Sequence, residues 1–206
     1  MFNRTIIHEL KQSKDSKDRK PLMMLGARQV GKTSVLKKFG EDCFDHCAYF
    51  SLDEEEGVCD IFRKTKNPLQ IIEQLSYLTS EPILPHHTLL ILDEIQDCPE
   101  AISAMKYFCE KTPEYAVACA GSLLGLAFGH QGFSFPVGKV DHMNMYPVTF
   151  SEFLEQRDAR LYQYYMSIDS LEPLPDVFFD RLSQAFTAYR ISGGMPAVAM
   201  KRSEEH

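Results

Sequence analysis

The segment from Gly26 to Thr33 constrains the fold more than any other part of the sequence. Its residues, GARQVGKT, fit the pattern Gly-x-x-x-x-Gly-Lys-Ser/Thr. A short apolar run at residues 21–25 comes before it, as expected of a strand buried on both faces. After it, the apolar side chains of residues 33–39 fall on one helical face, and Gly40 is the predicted end of that helix. A strand, a glycine-bounded loop and a helix in this order predict an α/β fold.

The same alternation of strands and helices continues along the chain. Because strands that alternate with helices are joined by crossover connections, we predict a parallel sheet with helices on both faces, a three-layer sandwich. Further strands are predicted at residues 48–52, 88–92, 115–120 and within 139–145, and helices at 6–10, 69–78, 101–109, 150–156 and 177–191. We therefore expect a core domain over residues 1–146 and a small helical appendage over residues 147–206.

The residue types of the Gly26–Thr33 loop suit the binding of a triphosphate. Gly26 and Gly31 allow the backbone to curl so that amide hydrogens point at phosphate oxygens, and the helix N-terminus adds its positive dipole end. Lys32 would supply charge to the β- and γ-phosphates, and Thr33 a hydroxyl to magnesium. A glycine turn that only connects a strand to a helix would not need Lys-Thr at its end. The predicted binding residues are Gly26, Ala27, Arg28, Gln29, Val30, Gly31, Lys32, Thr33 and Ser34.

Asp93 and Glu94 follow the apolar strand at residues 88–92. Ligands of open parallel sheets bind at the carboxyl ends of the strands, which is where this acid pair is expected. Asp93 is predicted to hold magnesium, and Glu94 to polarise the water that attacks the γ-phosphate. Two acids after a strand can also be loop charges, but the upstream loop favours the catalytic interpretation.

Ser122 is the third candidate residue. It comes just after the predicted strand at residues 115–120, which should lie between the two strands just described. A small polar side chain there can sense the γ-phosphate or hold the attacking water. The alternative is that Gly121 and Ser122 form an ordinary turn.

Composition and charge exclude several other classes of protein. A hydrophobic fraction of 44% with 25% charged residues is typical of a globular chain. The net charge of −7 argues against a surface built throughout for nucleic-acid phosphates. The start of the chain is too polar for a secretory signal, and the six cysteines lack a Cys-x-x-Cys spacing. We therefore expect a cytoplasmic protein without a membrane span.

Together, five segments of the sequence resemble the prokaryotic AAA-type P-loop ATPases that carry a C-terminal nuclease-like domain of unknown function. The segments are GARQVGKT at 26–33, LDEIQ at 92–96, Gly121-Ser122, YPVTFSEF at 146–153 and GGMP at 193–196. The resemblance implies a core with sheet order 5-1-4-3-2, ATP and Mg²⁺ as cofactors, and a nucleotide preference for adenine. It also implies an effector domain beyond His206, so that the chain is a fragment or a truncated relative.

One position departs from the pattern of that family. Where the family has Gly-Arg before the fifth strand, this chain has Gly138-Lys139. Lysine lacks the planar, two-pronged donor of arginine, which puts an arginine-finger role at Lys139 in doubt.

Three functions are open at this point, and the preferred one is an ATP-hydrolysing AAA-like module coupled to an effector. Catalytic arginines are often supplied by a neighbour, so isolated turnover is expected to be weak. The alternatives are a nucleotide-binding switch without turnover and a small-molecule kinase. A homo-oligomer, and a nucleic-acid or protein effector reached through the absent C-terminal region, are the open partners.

Overall fold

The computed structural model describes residues 2–16, 18–122 and 136–203. Contacts between residues divide the chain into two compact units. One unit comprises Ile6–Met145, and the other comprises Met1–Thr5 together with Tyr146–His206. The first five residues of the chain thus belong with its C-terminal part.

A five-stranded parallel sheet forms the centre of the first unit. Its strands lie in the spatial order β2-β3-β4-β1-β5. This confirms the predicted α/β class and is the predicted order 5-1-4-3-2 counted from the other edge. The strands are β1 (Leu22–Gly26), β2 (His46–Ser51), β3 (Thr88–Asp93), β4 (Ala116–Ser122) and β5 (Asp141–Met145).

Five helices accompany the sheet in the described part of the first unit. They are α1 (Ile6–Lys14), α2 (Lys32–Cys43), α3 (Glu56–Lys64), α4 (Pro68–Ser76) and α5 (Pro99–Lys111). None of the helices in the described ranges of the chain is long and apolar enough to cross a membrane.

Two predictions about these helices were wrong. Helix α2 does not end at Gly40 but continues to Cys43. The glycine serves close packing inside the helix, since a Cβ there would lie 2.7 Å from the Cys47 sulfur. Helix α3 was not predicted, because its first residue belongs to the acidic run 53–56, a pattern that favours a solvated loop.

The register of the sheet brings the ends of several strands together. Every residue of β3 and β4 is buried, as expected for central strands of a parallel sheet. Gly26 at the end of β1 is paired with Ser122 in β4 and with Met145 in β5. Ser51 at the end of β2 is likewise paired with Asp93 in β3. The carboxyl ends of the strands therefore form one edge, at which the predicted site residues are found.

The second unit is helical and has its own small apolar cores. Thr149 and Glu152 form a capping box, and the buried Glu152 also pairs with Arg4 at 3.2 Å and accepts hydrogen bonds from Thr5. Its helices are α6 (Phe150–Arg157), α7 (Ala159–Met166), α8 (Asp176–Ser192) and α9 (Pro196–Ser203), of which α7 and α9 were not predicted.

Replacing Gly26 tests the close approach of β1 and β5. A Cβ at this position would lie 2.3 Å from the backbone oxygen of Met145, which cannot move without separating the two strands. We expect Gly26→Ala to lower the free energy of unfolding by about 1–3 kcal/mol or more. Chemical denaturation measures this change.

Gly57 in α3 provides the matched control, since a Cβ there would meet no atom within 4 Å. Gly57→Ala should leave the stability unchanged or raise it by up to about 1 kcal/mol. Equal losses in the two variants would contradict the packing explanation.

Candidate functional site

The loop between β1 and α2 turns sharply at two residues. Gln29 has a φ of 64° and Gly31 a φ of 95°, both in the left-handed region. Residues in this left-handed conformation allow a short loop to turn its amide hydrogens toward a bound anion. Val30 between them is fully buried and anchors the loop, whereas Ala27 and Arg28 are exposed.

Lys32 directly follows this loop, as the first residue of α2, and is only 6% exposed. Its Nζ donates hydrogen bonds to the carbonyl oxygens of Gly26 at 3.2 Å and Ala27 at 2.9 Å. Burial lowers the pKa of Lys32, while the charges of Glu94 and Asp93 raise it and that of Arg28 lowers it. The ammonium group therefore rests on the loop's own backbone, among charges of both signs.

Asp93 joins the loop to the end of β3. Its Oδ2 accepts a hydrogen bond from the Thr33 hydroxyl at 2.6 Å and another from the Tyr49 hydroxyl at 3.1 Å. The residue is 4% exposed, and its Oδ1 accepts a bond from the backbone N–H of Glu94. The structure thus brings Lys32, Thr33 and Asp93 to one place, as predicted.

Glu94 has a strained backbone at this edge of the sheet. Its φ of 50° and ψ of 47° are left-handed, which is uncommon for a residue other than glycine and costs about 1–3 kcal/mol. Strain of this kind persists where the surrounding structure imposes it, and it is concentrated at functional sites.

Ser122 ends β4 between the two strands that carry the loop and the acid pair, as predicted. It is 7% exposed, and its backbone N–H donates to Oε1 of Gln96 at 3.1 Å. Nε2 of the same Gln96 donates to Oε2 of Glu94 at 2.7 Å. One amide side chain therefore joins Ser122 to Glu94.

Lys139 lies away from this group of residues. It precedes β5, whose first residue, Asp141, is paired with Leu22 at the beginning of β1, whereas the loop follows the end of β1. Since each strand residue advances the chain by about 3.3 Å, the length of β1 separates Lys139 from the loop. Its ammonium is paired with Glu110 at 2.9 Å. Lys139 therefore contributes no charge to the site of its own chain.

The residues at this edge suit a hydrated magnesium ion. Magnesium prefers oxygen ligands and is usually held by one or two protein oxygens together with water and substrate phosphates. The hydroxyl of Thr33 and the carboxylate of Asp93 lie 2.6 Å apart and offer such oxygens. Among the residues that the structure describes, no cluster of three His, Cys, Asp or Glu side chains suits a metal.

A parallel sheet in this order, with a Gly-x-x-x-x-Gly-Lys-Thr loop after β1 and a carboxylate at the end of β3, defines the P-loop NTPase class. The family model described as an AAA domain matches residues 18–154. The chain belongs to this AAA domain family and is an ATP-binding AAA module. No curated protein matches the sequence.

Solved structures show the same fold at low sequence identity. The RuvB Holliday junction branch migration motor of Thermotoga maritima is 14% identical with a TM-score of 0.52, and the match covers 98% of this chain and 61% of RuvB. The replication initiator DnaA bound to AMPPCP and single-stranded DNA is 15% identical with a TM-score of 0.50, and the match covers 99% of this chain and 66% of DnaA. The chain thus spans about two thirds or less of the length of these proteins.

Two residues of the site were missed by sequence reasoning. Tyr49 lies in β2, where its hydroxyl reaches Asp93 in the neighbouring strand, and Lys37 lies 3.5 Å from the centre of its ring. Gln96 was part of a recognised segment but had no assigned role. In the sequence, the only indication of a role for Tyr49 in the site was its position, two residues before the end of an edge strand.

The Tyr49 hydroxyl should make stability depend on alkaline pH. Burial raises the pKa of Tyr49 to about 12, and the adjacent Asp93 carboxylate raises it as well. The pKa of a tyrosine in an unfolded chain is about 10. Above that pH the Tyr49 phenol has lost its proton in the unfolded chain but still keeps it in the folded chain. The stabilisation is therefore complete below about pH 10 and is lost as the pH rises toward 12.

We expect the unfolding free energy of the wild type to fall more steeply between about pH 10 and about pH 12 than that of Tyr49→Phe. Denaturant titrations at fixed ionic strength measure both slopes. Parallel slopes would show that the Tyr49 phenol ionises at an ordinary pH.

Proposed function

We propose that this chain is a magnesium-dependent ATPase module, in which Glu94 activates the water that attacks the γ-phosphate. The hydrogen bond of 2.6 Å between Thr33 and Asp93 is the observation that carries this proposal. It brings the phosphate-binding loop and the acid pair into one site, although they are 60 residues apart in sequence.

ATP binding requires Lys32 to change partners. Its ammonium group now donates to the carbonyl oxygens of Gly26 and Ala27. Phosphate oxygens carry full negative charge and make stronger, charge-assisted hydrogen bonds than neutral carbonyls do. We propose that Lys32 exchanges these carbonyls for the β- and γ-phosphates, while the loop amides bind the remaining oxygens.

Thr33 and Asp93 are the proposed magnesium-binding residues. When bound, the ion neutralises charge that develops on the phosphate oxygens during transfer. The Thr33 hydroxyl and the Asp93 carboxylate already point at each other, so the protein needs little rearrangement to present both oxygens.

In hydrolysis, Glu94 would accept a proton from the attacking water. The water oxygen forms a bond to the γ-phosphorus, and the bond from that phosphorus to the bridging oxygen breaks. The bond electrons leave with ADP, and the products are ADP and inorganic phosphate. Ser122, at the end of the adjacent β4, is the proposed contact for the γ-phosphate.

A nucleotide-binding switch without turnover is the second candidate function. It is favoured by Lys139, which occupies the family's arginine position but lies at the opposite end of β1 from the loop. Any cation at that position can serve only the site of another chain. A specific activity that rises with protein concentration would support assembly into homo-oligomers, and binding without turnover at every concentration would support the switch.

We also propose that the nucleotide state is coupled to an effector, which is either nucleic acid or another protein. The support is the resemblance to AAA-type ATPases with a further C-terminal domain. DnaA, which shares the fold, has been solved with single-stranded DNA.

Separate substitutions of Glu94 and Lys32 test the enzymatic proposal. Glu94→Gln should retain ATP binding and lose about 100-fold or more in turnover, because an amide cannot accept the proton. Lys32→Ala should weaken ATP binding itself. Phosphate release and the binding of a fluorescent ATP analogue measure the two properties. Equal turnover in the wild type and Glu94→Gln would remove Glu94 from the mechanism.

Substitution of Thr33 tests the magnesium site. Thr33→Ala should raise the magnesium concentration needed for half-maximal turnover about tenfold, since one oxygen ligand is lost. Thr33→Ser keeps the hydroxyl and should resemble the wild type. An unchanged magnesium requirement in Thr33→Ala would place the ion elsewhere.

A further inference from the structure

Gln96 lies in a short 3-10 turn, Ile95–Asp97, that follows Glu94. Its side-chain amide makes three hydrogen bonds at the end of the sheet. Nε2 donates to Oε2 of Glu94 at 2.7 Å and to Oδ2 of Asp97 at 2.9 Å, and Oε1 accepts from the backbone N–H of Ser122 at 3.1 Å. Both ends of the amide are thus bound at this edge.

The orientation of this amide follows from its partners. A backbone N–H can only donate, so the oxygen of Gln96 must face Ser122. The nitrogen then faces the two carboxylates, which as ions can only accept hydrogen bonds. In the reversed orientation, the amide oxygen of Gln96 would face both carboxylates, and its NH₂ group would face the N–H of Ser122.

Close packing against Gly121 holds the turn in place. A Cβ on Gly121 would lie 2.9 Å from Cγ2 of Ile95 and 3.2 Å from Oε1 of Gln96. Glycine therefore allows the turn after β3 to lie directly against the end of β4. Ile95 is fully buried, so the base of the turn has little room to shift.

The Glu94 side chain needs a partner to hold it, because the backbone conformation of this residue does not fix the position of its carboxylate. Its left-handed conformation is a strained state at the end of β3, and its side chain would otherwise sample several rotamers. The charge of Glu94 raises the pKa of Lys32, which places the carboxylate in the neighbourhood of the phosphate-binding lysine. The amide of Gln96 binds the Glu94 carboxylate at this position.

We propose that Gln96 is a positioning residue that fixes the Glu94 carboxylate for proton transfer and links it to the end of β4 at Ser122. This inference rests on the proposed ATPase function and adds a specific residue to it. General bases must be held close to the productive geometry, and a misplacement of about 1 Å can reduce the rate about 100-fold. Gln96 acts through Glu94 and needs no contact with the nucleotide.

The link to Ser122 gives the arrangement a second property. Ser122 lies at the end of the strand beside the loop, so a shift of this strand end would move the N–H that holds Oε1 of Gln96. The same shift would be passed through one rigid amide to the carboxylate of Glu94. The position of the Glu94 carboxylate would thus follow the end of β4.

The test compares Gln96→Met with the wild type in the full chain, at several protein concentrations. Methionine is unbranched and similar in size, so it fills the same space without an amide. We expect kcat to fall by about 10-fold to 100-fold, with ATP affinity within about twofold of the wild type. Asp97→Ala is the matched control, since it removes the other carboxylate and leaves the bond to Glu94, and it should retain turnover.

A double variant separates positioning from general damage. In the presence of Glu94→Gln, adding Gln96→Met should not lower the residual single-turnover rate further, because Gln96 acts only through Glu94. Thermal unfolding of each variant verifies that the assays are done on folded protein. A wild-type or raised kcat in Gln96→Met would overturn the inference, and so would an undiminished effect in the double variant.

The outcomes also separate this inference from the proposed function. If the wild type binds ATP but does not hydrolyse it, the ATPase function fails and the role of Gln96 fails with it. If Glu94→Gln abolishes turnover but Gln96→Met turns over at the wild-type rate, the ATPase function stands and the inference alone is wrong.

Discussion

The hydrogen bond from Thr33 to Asp93 is the interaction on which the rest of the site depends. It spans 60 residues of sequence and joins the start of α2, which follows β1, to the end of β3, although β4 lies between β1 and β3. A parallel sheet in this order brings the end of β1 and the end of β3 to one edge with a third strand end between them. The order of the strands therefore brings two segments that are distant in the sequence into one site.

Close approach of neighbouring segments is the second constraint, and it explains why two positions at this edge are glycine. Gly26 allows β1 to lie against the Met145 carbonyl, and Gly121 allows the turn after β3 to reach β4. A side chain at Gly26 would push β1 and β5 apart, and one at Gly121 would displace the side chains of Ile95 and Gln96. The strained backbone of Glu94 fits the same pattern, since a tightly packed edge can hold a conformation that costs about 1–3 kcal/mol.

Most of the fold and the first layer of the site could be predicted from the sequence, for identifiable reasons. The loop and the acid pair have fixed spacings relative to their strands, so the sequence pattern alone places Lys32, Thr33 and Asp93 together. Tyr49 and Gln96 could not be found in this way, because their roles depend on cross-strand proximity. Helix α3 was missed because Glu56 at its start belongs to an acidic run, and Gly40 was misread because its close neighbour, Cys47, comes from the following strand.

The segments that carried the family resemblance differ in what they do. Those at 26–33, 92–96 and 121–122 lie at the edge of the sheet that is proposed to bind the nucleotide. The segment at 146–153 supplies the Thr149–Glu152 capping box, and Glu152 is buried against Arg4. Burial alone would raise the pKa of Glu152, but hydrogen bonds from Thr149 and Thr5 and the charge of Arg4 outweigh it, so that its pKa is lowered. The carbonyl oxygen of Gly194 accepts a hydrogen bond from the backbone N–H of Val148. A Cβ on Gly194 would lie 2.7 Å from the carbonyl oxygen of Val148. These later motifs are explained by packing within the second unit, and their presence is therefore evidence of shared architecture rather than of shared chemistry.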